Sequence, residues 1–443
     1  MMRALALAWM LGRPGHGRRA PLLLTMGAYA LVSALVLTVT AGALSFTRVQ
    51  NELTGMYLML AGLAVVLLLV PLAVLGAAAA RLSARSQDTR LSTVRLLGGT
   101  PGLVVGITII ESSATALAGA VGGVLLYAAA APAVGLVHFQ GSAIGSAMWL
   151  EPGIIALMVG AVALIAAISA AVGLRKVIVS PLGVRNRTTT PKPRWIRAVI
   201  VAALILVVSL AFSMLSVFAS MAVILAVLLG GFALGLGALN LVGPWAVRVI
   251  GTSKLKRAQG PAQLLAARVI LENPAQAWRQ VSGVAMTSFV AVVGGSGAAL
   301  MNTAGAESDP GSPDSLLAAD VMTGVLITLV ASFISVACST AITQAAATLD
   351  RADLYSGLHR LGMERATMEK ARVGSVMAPV IGVGIGAVIV SGVLVFPLAG
   401  MAVIFAPVSV GIILLTLLAG VLAVRGAVAL TATGGVLKLG KSG

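Results

Sequence analysis

Runs of twenty or more apolar residues recur from one end of this chain to the other, and they leave few folds open. At 1.5 Å of rise per residue, about 20 residues of helix cross the ~30 Å hydrocarbon core of a bilayer. The runs are continuous rather than alternating, and backbone buried in lipid must satisfy its own N–H and C=O groups, so helices are expected and a barrel is not. Charged residues make up only 10% of the chain, where a soluble domain carries about 25%. A water-soluble fold would have no polar coat. The expected fold is an all-α polytopic membrane protein of about ten transmembrane helices, at 20–44, 55–80, 102–131, 152–174, 196–216, 219–243, 280–301, 320–346, 373–398 and 402–424.

The basic residues orient these spans. With a cytoplasmic N-terminus, alternate connections should hold the Lys and Arg. Of 30 such residues, 29 fall in 1–20, 81–101, 175–197, 244–279, 348–372 and 425–443. Arg48 alone lies on the other side, where Glu52, Glu151, Glu307, Asp309 and Asp314 collect. Both termini are therefore expected in the cytoplasm, with the protein multi-pass in the cell (inner) membrane. The net charge of +17 reads as topology, with a contribution from anionic membrane lipid, and not as nucleic-acid binding. Arg13, Arg18 and Arg19 precede a stretch ending Ala41-Gly42-Ala43, which imitates a signal peptide. That stretch runs for about 24 residues, beyond the 7–15 of a signal core, so it reads as a retained first helix. Residues 2–11 fit an interfacial helix on the inner surface. Cys338 stands alone inside an apolar span, which rules out a disulfide framework.

A repeat organises the chain. Residues 81–101 read RLSARSQDTRLSTVRLLGGTP, and 349–365 read LDRADLYSGLHRLGMER. A shift of 264 residues brings Leu91 onto Tyr355, Val94 onto Leu358, Arg95 onto His359, Leu97 onto Leu361 and Gly98 onto Gly362. It also carries the first three spans onto the seventh, eighth and ninth. The expected architecture is 4+2+4: an N-terminal segment 1–19, a four-helix repeat 20–175, and a middle 176–279 with a central hairpin at 196–243. A second repeat at 280–425 and a tail at 426–443 complete it. The hairpin turns at Ser216–Ser220, and basic linkers flank it. Within 244–279, residues 261–273 fit a surface helix opening on proline.

Each repeat carries a charged segment between its second and third spans, at 82–98 and 350–362. In the first, Leu91, Val94 and Leu97 recur at helical spacing while Arg85, Asp88, Arg90 and Arg95 point elsewhere. In the second, Leu354, Leu358 and Leu361 form the stripe, with Asp350, Asp353 and Arg360 off it. Gly98 and Gly362 suit the left-handed residue that ends a helix. Each segment is expected to be a short helix parallel to the membrane, turning at its glycine to re-enter. Such a helix can dock in a groove of a soluble partner, or lie on lipid headgroups.

The run Arg90-Leu-Ser-Thr-Val-Arg95-Leu-Leu-Gly98-Gly99-Thr-Pro101, with Glu111 in the next span, resembles the FtsX-like (MacB-type) permease family of ABC transporters. The second copy, Leu358-His359-Arg360-Leu361-Gly362, is similar, with His359 replacing the first arginine and Ser375 standing where the glutamate would be. The likeness covers about 55–175 and 320–425, and the central hairpin matches the ten-helix relatives that include bacitracin- and lantibiotic-resistance permeases. It implies that each charged segment is a coupling helix for an ATPase subunit: Arg90, Leu91, Val94, Arg95, Leu97 and Gly98 in one, Leu354, Leu358, His359, Leu361 and Gly362 in the other. Those relatives carry a large extracellular domain after the seventh helix, for which 303–319 is too short.

Glu111 lies about ten residues, or ~15 Å, inside its span. Two readings stand: a neutral or hydrogen-bonded packing residue, and a functional group linking the coupling helix to the outer bundle. Gly119, Gly122, Gly123, Gly231, Gly235, Gly294, Gly297, Gly382 and Gly386 fit close helix packing. Gly435 to Ser442 matches a phosphate-binding loop letter for letter, but only Gly443 follows, so the helix that would hold phosphate is missing. No metal site is expected, since His16, His138 and His359 are isolated, and no catalytic residues gather. The chain thus reads as a non-enzymatic permease subunit that exports or extracts an amphiphilic substrate. ATP and Mg would be bound by two partner ATPase subunits. Alternatives are a sensor or scaffold working with a membrane histidine kinase, and an ion-driven secondary transporter.

Overall fold

A computed structural model describes residues 19–48, 54–96, 101–179, 221–309 and 311–431, with 199, 203, 206, 207 and 210. The helices are α1 (Arg19–Ser45), α2 (Thr54–Leu96), α3 (Pro101–Gly135), α4 (Pro152–Val179), α5 (Met221–Lys256) and α6 (Pro261–Glu272). Then come α7 (Pro274–Ala306), α8 (Pro313–Asp350), α9 (Ala352–Arg360), α10 (Arg365–Leu394), α11 (Phe396–Phe405) and α12 (Pro407–Leu430). One two-stranded hairpin, β1 (His138–Phe139) and β2 (Ser142–Ala143), interrupts them. Among the described residues nine helices are long and apolar enough to cross a membrane. The fold is all-α and multi-pass. The expected span at 196–216 lies largely outside the described residues, as do the interfacial segment 2–11 and the glycine-rich tail.

Two compact units divide the chain: Met1–Thr188 with Ala341–Asp350 and Lys438–Gly443, and Thr189–Thr340 with Arg351–Leu437. In the first, α1 lies along α3, which also packs on α4. The reason is glycine at four-residue spacing. A Cβ at Gly119 would meet the Met26 carbonyl oxygen at 2.6 Å and Tyr29 Cβ at 2.7 Å, and one at Gly123 would strike the Ala30 carbonyl. Only hydrogen permits that approach. Leu37, Ala41, Tyr127, Ala131 and Met148 form the core beside it.

The second unit is built round α7, against which α5, α10, α11 and α12 pack, while α6 lies against α5 and α10. Its core holds Val247, Ile270, Trp278, Val281, Val284, Val336, Val380 and Val424. Trp278 covers Gly243, and its indole N–H donates to Asn240 Oδ1 at 2.9 Å. On α8 the buried hydroxyls Thr328, Ser332, Ser335 and Ser339 follow one helical face. Thr328 and Ser335 donate back to the carbonyls of Gly324 and Ala331, which satisfies them inside the helix.

Three expectations need correction. The sixth span does not stop at 243; α5 continues through Pro244 to Lys256, with Trp278 packed over Gly243 and bonded to Asn240 just before the proline. The 244–279 linker is accordingly helical over most of its length, with Pro261 opening α6 and Asn273 Oδ1 capping α7 by accepting from Gln276 N at 3.0 Å. The last span does not begin at 402. The chain breaks at Ala406 between α11 and α12, each of which has a proline in its first turn. Of the glycines, Gly235 and Gly382 face Phe289 and Ile250 closely, whereas Gly294, Gly297 and Gly386 face open space.

Candidate functional site

The second charged segment is a separate helix. After Asp350 the backbone breaks at Arg351 (φ −107°, ψ 14°), runs through α9, and turns at Gly362, whose φ of +90° is one that side chains resist. Gly362 N donates to His359 O and Met363 N to Leu358 O, both at 3.0 Å, so the last carbonyls of α9 are capped in the Schellman pattern. α10 begins at Arg365. Neither glycine nor proline stands at the break. Tertiary contacts account for it: Arg351 pairs with Glu272 at the end of α6 (3.6 Å), and Tyr355 is buried.

With Tyr355 turned inward, the leucine stripe turns outward. Leu354 is 54% and Leu361 85% exposed, Leu358 is half-buried, and His359, Arg360, Glu364 and Arg365 ring them in solvent. Leu354, in the first turn of this nine-residue charged helix, and Leu361, its C-cap, have no partner within the described chain that covers them.

The first charged segment differs from its expectation. It is not a separate helix lying across the end of the bundle: α2 runs unbroken for 43 residues to Leu96. The sequence from Ala77 to Leu97 contains no glycine or proline, so nothing local interrupts the helix. Arg90, Leu91, Val94 and Arg95 occupy its last two turns, while Leu97 and Gly98 lie outside the described residues.

Glu111 is half-buried on α3, on a helix whose buried face carries Thr108, Ser112 and Thr115. Thr115 Oγ1 donates to the Glu111 carbonyl at 2.8 Å. Two other polar residues escaped the sequence reading. Asp320, taken as the edge of a span, is only 7% exposed, because α8 begins seven residues earlier at Pro313. Arg372 is 5% exposed and fully engaged. Its Nε and Nη2 donate to the two carboxylate oxygens of Glu369 (3.1 and 2.6 Å), Nη2 also to the Val428 carbonyl (2.8 Å), and Nη1 to Thr431 Oγ1 (3.0 Å). This cation at the C-terminal end of α12 ties the start of α10 to it. The Glu369–Arg372 spacing was visible in the sequence; the α12 partners were not.

Among the described residues no group of three or more His, Cys, Asp or Glu could hold a metal ion. No protein-family model matches the chain, and no curated protein or solved structure matches it either.

Proposed function

We propose that the chain is the membrane-spanning permease subunit of an ABC transporter, resembling the FtsX-like type. The observation that carries this reading is α9: a short capped helix at a basic end of the second unit, presenting Leu354 and Leu361 to solvent within a charged rim. A soluble partner with an apolar groove would cover them, and helix-in-groove docking reads leucines at this spacing. The 264-residue sequence shift that brings Val94, Leu97 and Gly98 onto Leu358, Leu361 and Gly362 supports two FtsX-like repeats. ATP and Mg belong to the two partner ATPase subunits, and the motion they drive acts on an amphiphilic cargo such as an antimicrobial peptide or a lipid. Both termini and both charged segments lie on the cytoplasmic side of the cell membrane in this reading.

Co-expression with a candidate ABC ATPase subunit whose hydrolysis the chain stimulates tests it. Leu361→Asp should cut permease-stimulated ATP hydrolysis at least tenfold, a loss of about 1.4 kcal/mol or more at the interface, while the protein still inserts. Undiminished stimulation would remove α9 as the docking element. The burial of Asp320 favours one second reading, an ion-driven secondary transporter, since an intramembrane acid is a natural proton or cation carrier. Proton-dependent flux through the purified chain with no ATPase present would establish that alternative.

A further inference from the structure

Phe, Trp and Tyr supply only 4% of the chain, yet five of them make ring contacts within the first unit, in a group of three and a pair. α1 closes in a turn of 3-10 helix, Phe46–Arg48, and Tyr57 sits in the first turn of α2. Phe46 stacks on Tyr57 with ring centres 5.6 Å apart and planes at 22°, and meets Phe139 edge-on at 5.3 Å. Tyr127 reaches from α3 to Trp149 in a second edge-on pair at 6.5 Å. These rings are geometrically fixed. The Tyr127 hydroxyl donates to the Met148 carbonyl and accepts from Leu150 N (3.1 Å), so the backbone is pinned on both sides of Trp149. Met148 and Leu150 point inward, at 0% and 7% exposure, which forces the residue between them outward: Trp149 is 51% exposed. Phe139 is held by the hairpin, where His138 pairs with Ala143 and Phe139 with Ser142. Its two turn residues, Gln140 (φ 54°) and Gly141 (φ 74°), have the positive angles of a type I′ turn. Ile144 N closes the loop on the Val137 carbonyl at 3.1 Å.

The position of this cap follows from helix length. The Val105–Gly135 span is 31 residues, or about 46 Å of helix, against ~30 Å of hydrocarbon. α3 starts next to the first charged segment, so its far end, at Gly135, emerges at the opposite boundary. From Tyr127 to Glu151 there is no Lys or Arg; His138 and Glu151 are the titratable side chains there besides Tyr127 itself. This stretch therefore offers no cation to phosphate; within the cap Arg48, in the 3-10 turn with Phe46, is the basic residue. Rings with one polar edge and an exposed aliphatic neighbour, Leu136 at 72%, match the layer where headgroups meet acyl chains.

We propose that this aromatic cap is an interfacial anchor, with the Trp149 indole and Leu136 seated in the glycerol and headgroup layer of the leaflet remote from the first charged segment, setting the depth of α1–α4. It needs only the multi-pass fold and stands whether or not an ATPase partner exists. The test uses full-length protein in phosphatidylcholine–phosphatidylglycerol vesicles. Subtracting the emission of Trp149→Phe from that of the wild type isolates Trp149, since the other four tryptophans are common to both. Lipids brominated at carbons 6 and 7, or spin-labelled at the headgroup, should quench this component at least twofold more than lipids brominated at carbons 11 and 12. Aqueous iodide should quench it weakly. Dominant iodide quenching would place the ring in water, and stronger quenching from carbons 11 and 12 would sink it in hydrocarbon; either overturns the anchor. Should Trp149→Phe insert poorly, Leu136→Cys in a Cys338→Ala background, carrying an environment-sensitive fluorophore, reads the same depth with every tryptophan in place.

Discussion

The two charged segments share one sequence pattern, 264 residues apart, and are built in opposite ways. The first is the unbroken end of a 43-residue helix; the second is cut from α8 at Arg351 and folded into a nine-residue helix of its own. Local sequence explains only the first. Without glycine or proline, the cheapest continuation of a helix is more helix. The second has no breaker at its break either, and folds over because Arg351 finds Glu272 and Tyr355 finds a core. Similar charge and leucine patterns therefore do not prescribe similar geometry; what lies next to the segment decides.

Four substitutions would break or sharpen that contrast. The largest effect belongs to Arg372, which anchors the helix that the second segment enters. Arg372→Ala leaves Glu369 and the Val428 carbonyl without their donor, and losing one member of a buried ion pair costs about 3–5 kcal/mol. A marked fall in thermal unfolding temperature in detergent is expected, with Lys restoring little because it cannot fork across two acceptors. An unchanged transition would show the clamp to be dispensable. Next, Thr89→Pro removes a backbone hydrogen bond from the continuous end of α2, at about 3 kcal/mol. Distances between spin labels at residues 80 and 95 should broaden; a single sharp distance would mean that the helix survives the kink. Gly362→Ala forces a Cβ onto a positive φ and should cost about 1–2 kcal/mol. Amide exchange across 357–363 should quicken, while exchange in α3 stays unchanged. Smallest is Arg351→Gln. The Glu272 partner is 71% exposed, so the pair contributes about 1 kcal/mol or less and fades with salt. Labels on α8 and α9 should report the same bend in wild type and variant at high salt; straightening there would mean that the pair alone makes the break.

What could be read from the chain alone follows how far apart the deciding residues lie. The spans were legible because hydrocarbon thickness acts on every stretch of about 20 residues independently. Gly362 was legible as a helix stop, because a left-handed cap is a property of one residue. The break at Arg351 was not, since neither the burial of Tyr355 nor the pairing with Glu272 on another helix is a property of the local sequence. Nor was the real length of α5, where Trp278 of another helix closes over Gly243. Arg372 shows the boundary within one residue: its contact with Glu369 is three positions away, whereas Val428 and Thr431 are 56 and 59 positions away. Periodicity contains no term for such distances. The outer ends of Leu354 and Leu361 belong to the same class, because Tyr355 had to be buried first for the leucines to face out.

The uninterrupted α2 has a mechanical consequence. Its 43 residues amount to about 65 Å of helix, of which the apolar portion from Thr54 to Ala80, with Pro71 inside it, is long enough for a bilayer, and the remaining 16 residues, about 24 Å, carry the charges. Between Ala77 and Leu96 nothing local lets the helix bend, so a sideways push at its tip moves that stretch as one arm. Pro71, inside α2, removes a backbone hydrogen bond and is the point about which that arm can swing against the part that begins at Thr54.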